Sequence, residues 1–441
     1  MRFPRALTGW PAIRSSFAQQ WARSWRALRH RSYRLYFAGQ SVSILGSWLQ
    51  QVALGWLAYR TTGSATLLGS VAFLSQIPQL FVAPLAGIII DRSDIRRLML
   101  AVQSGMAIQA LLLALVTWQG GVETWHILFA AAVFGVLNSF DVPLRHAYTS
   151  QLVADRGDLP NAVALNSLFF NTARFVGPPL AGAVLTLASE AVCFALNGLS
   201  FLAIIGVLAG LKTRSPAHCS AGFRAAMAEG GSYIRRNFAV RRLLLQVALL
   251  NFLAANYVPL MPAFVRDVFR GGPEMLGILL GSAGAGALLA ALALVARPTV
   301  RGLSGSIASG NLLTGCALLA FAIAPDAWLA CAMLFLLGFG LINGNASSNT
   351  ILQTILPERL RGRVLAVYAA ANLGAAALGG LCSGALADLA GPRNTLVFLG
   401  GMLIMTSFYF RLRLEEFRMH LRPIYAQLGI SRPESKEGGS S

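Results

Sequence analysis

Hydrophobic residues gather in this 441-residue chain into twelve long blocks, with the polar residues collected between them. The blocks run over 35–59, 65–90, 98–118, 125–145, 160–187, 191–211, 241–263, 274–296, 303–323, 327–350, 363–387 and 394–412. Each is close to the ~20 residues that a helix needs to cross the hydrocarbon core of a bilayer. Connections are short except for one basic segment containing Gly and Ser, 212–240, between the sixth and seventh blocks. The pattern predicts an all-α integral membrane protein with twelve transmembrane helices. Six lie over 35–211, a linker covers 212–240, six more lie over 241–412, and a cytoplasmic tail covers 413–441. Ahead of the first block, Trp10, Ile13, Phe17, Trp21, Trp25 and Leu28 recur every three or four residues within the arginine-rich, acid-free segment 1–34. That reads as an amphipathic helix on the inner membrane surface or, by composition, as a transit peptide. It has no apolar core of its own, which excludes a cleaved secretory signal.

The two groups of helices repeat. Phe134-Gly135 and Leu152-Val153-Ala154-Asp155-Arg156 recur 203 positions later as Leu337-Gly338 and Ile355-Leu356-Pro357-Glu358-Arg359. Both copies fall on the same side of the membrane, as parallel repeats about an axis normal to the bilayer require.

Composition agrees with the pattern, since only 12% of residues are charged and the mean hydropathy is +0.61. The net charge of +19 would suggest nucleic acid, and its distribution removes that reading. With both termini inside, 31 of the 36 Lys and Arg residues are cytoplasmic, while Arg60, Arg266, Arg270 and Arg393 are external and Arg174 is inside a block. Such a skew fixes an even number of spans with both termini cytoplasmic. Five scattered cysteines with no CxxC spacing give neither a disulfide frame nor a metal site. There is no P-loop, HExxH or Gly-x-Ser-x-Gly, so no cofactor and no enzyme chemistry is expected.

One connection stands apart: Gly87-Ile88-Ile89-Ile90-Asp91-Arg92-Ser93-Asp94-Ile95-Arg96-Arg97. By residue type, Gly87 permits close backbone approach, Asp91 suits the positive N-terminal end of another helix, and Arg92, Arg96 and Arg97 anchor the turn on the cytoplasmic side. The alternative is a positive-inside loop with no special role. The segment resembles the loop between helices 2 and 3 of the major facilitator superfamily, G-x-x-x-D-R-x-G-R-R. Asp94 replaces the second glycine and Ile95 an arginine; this variant resembles the branch of enterobactin exporters and macrolide-efflux proteins. The resemblance implies two pseudo-symmetric six-helix bundles that move by alternating access. It also implies that Asp91 meets the start of helix 11 at Gly362-Arg363-Val364 and locks an inner gate.

The fifth block carries Asn171, Arg174, Gly177, Pro178 and Gly182. Gly-Pro-x-x-x-Gly there resembles the antiporter motif of exporters in the same superfamily, with glycines that let helices close and prolines that free carbonyls. Ser167, Asn171 and Arg174 share a face. Arg174 faces the interior or water rather than lipid, as a cavity wall for anionic or polar groups or as a pair with carbonyls or a helix-4 carboxylate. Asn138, Asp141 and Arg145 share a face of the fourth block. Asp141 is the candidate proton carrier, or simply the i, i+4 partner of Arg145. Gln40, Ser43, Ser47 and Gln51 form a polar stripe that lines a cavity or bonds between helices. The polar residues Asn256, before Pro259 and Pro262, and Asn343 are further cavity candidates, with helix–helix bonding as the alternative. Asp388 reads as a surface pair with Arg393.

The resemblance implies a secondary active exporter of a drug- or siderophore-like small molecule, coupled to protons, in a bacterial inner membrane. Its expected partners are that substrate, protons and lipid, with no nucleic acid, and its expected state is monomeric. An importer of the same fold is one alternative, and a non-transporting scaffold or receptor is another.

Overall fold

The structure, a computed structural model, describes residues 25–153, 155–211, 231–297 and 299–429. Residues 1–24 of the expected surface helix and 212–230 of the linker lie outside the described residues. The described start is a 3-10 turn at Arg26–Arg29, held to a later helix by the Ala27 N–H donating to Asn161 Oδ1 at 3.0 Å. Of the apolar stripe expected on the surface helix, only Trp25 and Leu28 fall among the described residues, at this docked turn.

The long helices are α1 (Arg31–Thr62), α2 (Ala65–Arg92), α3 (Ile95–Trp118), α4 (Thr124–Leu152), α5 (Leu159–Leu187) and α6 (Glu190–Gly210). They continue with α7 (Phe238–Ala254), α8 (Pro273–Val295), α9 (Leu303–Ala322), α10 (Ala327–Ile355), α11 (Glu358–Ala390) and α12 (Pro392–Leu412), followed by a short α13 (Leu414–Gln427). Among the described residues, ten spans are long and apolar enough to cross a membrane; α1 and α5 match them in length and are not among the ten.

Helix ends follow local chemistry. Ser64, Asp94, Asn237 and Asp326 accept from backbone N–H groups in the first turns of α2, α3, α7 and α10. Gly63 ends α1 in the left-handed region at φ 65°, where its N–H donates to the Tyr59 carbonyl. Several helices outrun their apolar blocks. α4 continues seven residues past 145 and α10 five past 350, since helical hydrogen bonding does not stop where the side chains become polar. α7 breaks at Ala255-Asn256 and resumes as Tyr257–Ala263 and a π turn Phe264–Val268. Pro259 and Pro262 lack the N–H groups that would carry the helix through. The tail is not featureless: α13 buries Phe417 and Leu421.

Packing repeats with an offset of six helices. α1 packs on α5 and α6, α3 on α4 and α6, and α2 on α4. Correspondingly, α7 packs on α11 and α12, α9 on α10 and α12, and α8 on α10. These are two pseudo-symmetric six-helix bundles, joined along α2/α11 and α5/α8. One end, the terminal end, holds the start of α1, the end of α12 and the α2–α3 loop. There each bundle has its own core, around Met99, Tyr148 and Phe201 in one and Leu243, Ile307 and Ile351 in the other. At the far end a single core runs through both, including Leu57, Phe194, Phe264 and Phe321.

Candidate functional site between the bundles

The two seams are built from small residues. A Cβ at Gly182 would lie 3.1 Å from Gly277 Cα, and one at Gly281 would lie 2.5 Å from Pro179 Cγ. Pro178 and Pro179 cannot donate to the Arg174 and Phe175 carbonyls one turn back. Those carbonyls face α8 glycines: a Cβ at Gly284 would lie 2.5 Å from the Arg174 oxygen, and one at Gly281 3.3 Å from the Phe175 oxygen. Cα–H groups thus meet the oxygens that the prolines leave free. The α2/α11 seam repeats the device, with Gly69 against the Gly380 backbone and Gly384 against Ala65 and Gly69.

Polar latches hold the far end. Asp388, at the end of α11, accepts from Ser64 Oγ at 2.8 Å and from the Ala65 and Thr66 N–H groups at 2.6 and 2.9 Å. It therefore caps α2 across the bundle interface, where the sequence suggests a pair with Arg393. The Tyr59 hydroxyl donates to Asp267, and Thr186 Oγ1 donates to Glu274 at 3.1 Å. At the terminal end, a Cβ at Gly87 or Gly362 would meet nothing within 4 Å among the described residues. The close approach expected at Gly87 falls instead at Gly69 and Gly384, nearer the far end. Asp94 caps α3 through the Arg97 N–H at 3.0 Å, with Arg97 Nε 4.0 Å from its carboxylate. Arg96 donates to the Leu208 and Ala209 carbonyls at 2.8 and 2.6 Å, satisfying the C-terminus of α6. Arg92 is exposed, and the side chain of Asp91 lies outside what is described.

Where α1, α5 and α7 meet, Trp48 seats its ring against Gly177, and a Cβ there would lie 2.6 Å from Trp48 Cβ. One turn before, the Arg174 guanidinium stacks over Phe170 at 5.5 Å and stands within electrostatic reach of Tyr257, in the segment that resumes after the α7 break. Among the described residues no carboxylate pairs with it. Asn171 donates to the Ser167 carbonyl at 2.8 Å within its own helix. In the second bundle, Asn345 joins Asn251 at 2.9 Å and Asn372 at 3.4 Å, and the Tyr368 hydroxyl donates to the Asn345 carbonyl at 2.8 Å. Tyr257, Tyr368 and Asn372 are absent from the sequence-level candidates. The i, i+4 pair Tyr368/Asn372 in a Gly/Ala-rich helix is the signal that could have found two of them.

Other candidates are elsewhere. Asp141 is fully buried inside the first bundle, where it pairs with Arg145 and accepts from Gln103 Nε2 at 2.6 Å. The Tyr36 and Tyr148 rings pack edge to face at 5.2 Å, and Tyr36 lies within the field of the ion pair. Asn138 is partly buried. The polar stripe of α1 splits: Gln40 and Ser43 are buried, Ser47 donates to the Ser43 carbonyl at 2.9 Å, and Gln51 is exposed. The Gln40 amide is buried and has no hydrogen-bond partner among the described residues. Gln50 instead links Gln109 and Asn197 at 3.0 and 2.7 Å. Asn256 is buried against Gly379 of α11 and donates to the Phe252 carbonyl at the α7 break. Asn343 donates to the Ser306 carbonyl of α9 at 3.3 Å. Asn343 thus bonds between helices, whereas Asn256 bonds its own preceding turn and its Oδ1 has no partner among the described residues.

Comparison with known proteins fits this architecture. The family model described as transmembrane secretion effector matches residues 22–426. The staphyloferrin A transporter of Staphylococcus aureus is 25% identical over 87% of this chain and 98% of its own length. Macrolide efflux protein A of Streptococcus pyogenes is 23% identical over 85% of this chain and 95% of its own. Among solved structures, the nucleoside transporter NupG superposes with a TM-score of 0.68 at 15% identity, over 86% of this chain and 98% of that one. The chain belongs to the transmembrane secretion effector family of the major facilitator superfamily, whose members are membrane transporters and not enzymes.

Proposed function

We propose that this transporter exports a drug- or siderophore-like small molecule from the cytoplasm of a bacterium by alternating access, coupled to proton antiport. The observation that carries the reading is Arg174: a cation at the junction of both bundles, stacked on Phe170, near Tyr257, with no carboxylate partner among the described residues. An arginine at that depth costs at least ~2.5–3.5 kcal/mol on insertion scales, and an anionic or polar group of the substrate would offset that cost. The names of the two relatives support transport of an organic solute, and that of macrolide efflux protein A supports export. The charge skew supports cytoplasmic termini, so that the terminal end, where the two cores are separate, faces inward. Asp141 with Gln103 and Arg145 is the proposed proton site, being a sealed carboxylate whose partners lie on two helices. Asp91 and Arg92 are the proposed inner gate, on the resemblance of the α2–α3 loop.

A second reading has its own observation. Asp141 and Arg145 pair within one helix, which suits a structural ion pair in a facilitator. Vesicles containing the protein, an imposed pH gradient and a panel of drugs and siderophores separate the two. Proton antiport requires gradient-driven movement that Asp141→Asn abolishes in a normally inserted protein. Movement indifferent to the gradient would demote Asp141 to a structural pair.

A further inference from the structure

A groove of about 270 Å³ lies between α7 and α12 near the terminal end, on a flank where Leu245, Met405 and Tyr409 are exposed. Its lining changes character with depth. Nearest the terminal end, Arg242 and Arg413 stand over the Tyr409 ring at 5.4 and 6.0 Å from its centroid. Arg242 also lies 5.6 Å over Phe238. One turn deeper come Gln246 and Thr406, and beyond them the aliphatic wall of Leu245, Leu249 and Met405.

Two features call for a ligand with a charged head. Gln246 is 5% exposed, and its amide nitrogen has no hydrogen-bond partner. A buried donor left unpaired is costly, and an acceptor in the groove would relieve it. Arg242 has no carboxylate partner among the described residues. The nearby acids of α13 are engaged: Glu416 faces Arg413 at 3.4 Å, and Glu415 faces Arg418 and Arg422 at 3.5 and 2.9 Å. A cation held by aromatic faces, an orphaned amide one turn deeper and an apolar wall beyond match the sequence of groups along one lipid: phosphate, ester carbonyl, acyl chain. A free anion would not use the wall, and a hydrocarbon would not use Arg242.

We propose that this groove holds one anionic phospholipid of the leaflet at the terminal end, with its phosphate against Arg242, an ester carbonyl at Gln246 and an acyl chain along Leu249 and Met405. The site lies outside the path assigned to the substrate.

The test is native mass spectrometry of the purified full-length protein with phosphatidylglycerol and phosphatidylcholine of identical acyl chains, added in equal amounts. The expected result is preferential retention of phosphatidylglycerol. Arg242→Gln should lower that preference about fivefold, Arg242→Lys should keep most of it, and Arg393→Gln at the far end should leave it unchanged. Leu249→Trp, which fills the groove, should reduce retention of phosphatidylglycerol. Equal unfolding midpoints in phosphatidylcholine exclude misfolding as the cause. Equal retention of the two lipids, an Arg242→Gln protein that binds like wild type, or displacement of the lipid by inorganic phosphate would each overturn the assignment.

Discussion

Asp141 lies on the helix face that its spacing from Asn138 and Arg145 predicts, and that face points into a bundle interior. A buried ion pair adds little net stability while both partners remain, but removing one leaves an uncompensated charge. Arg145→Ala should therefore destabilise the protein by about 3–5 kcal/mol, read from its unfolding midpoint in detergent. An unchanged midpoint would mean that Asp141 is protonated or hydrated in place of being paired. Arg174 is the opposite case, a cation held over the Phe170 ring with no carboxylate partner among the described residues. Arg174→Gln should weaken binding of an anionic substrate about tenfold, measured by equilibrium titration. Lysine should not restore it fully, because an ammonium does not stack on Phe170 as a guanidinium does. Undiminished binding in Arg174→Gln would remove it from the substrate site. These two residues could be picked out by charge alone, since charges are scarce in the apolar blocks. Tyr257 and Tyr368 could not, because a tyrosine in an apolar run reads equally as core, cavity wall or interface.

At the scale of elements, the proposed alternating access places its mechanics at the α5/α8 and α2/α11 seams. Prolines at 178 and 179 free two carbonyls, and glycines on α8 let those carbonyls approach its backbone. Gly284→Ala places a Cβ against the Arg174 oxygen, an overpacking cost of about 1–3 kcal/mol, and should slow transport about tenfold in vesicles. Gly206→Ala on α6, where a Cβ meets nothing within 4 Å, is the control expected to stay active. Equal rates in the two variants would show that the seam does not tighten during transport. Gly177, Pro178 and Gly182 were legible as a helix-closing motif from their spacing. Their partners Gly277, Gly281 and Gly284 were not, because a glycine in an apolar block does not reveal which helix it faces. The helical reach of α4 past 145 and of α10 past 350 was hidden for a related reason: hydropathy marks where lipid ends, and a helix can continue into water.

In the whole molecule, the latches lie at one end and the separate cores at the other. Asp388 makes three bonds to the start of α2, and the proposed alternating access requires them to break when the far end opens. Asp388→Asn should raise the population open at the far end about tenfold, since hydrogen bonds to a charged group are each worth ~1.5–3 kcal/mol. Spin labels on the far ends of α2 and α11 would report the change as a longer distance. An unaltered distance distribution would make the latch a local helix cap.

The sequence alone determined that this is an all-α, two-bundle membrane protein, because every residue facing lipid must be apolar and every backbone group must be bonded within its helix. It also determined the family resemblance and the orientation expected from charge, since both are written along the chain as local composition. The tertiary structure decided which polar residues face one another. Asn256, Asn343 and Asn345 bond to backbone or to other asparagines, whereas the buried Gln40 amide has no partner among the described residues, and only the neighbouring helices separate the two cases. A buried polar side chain needs a partner, and a one-dimensional pattern records the need without naming the partner.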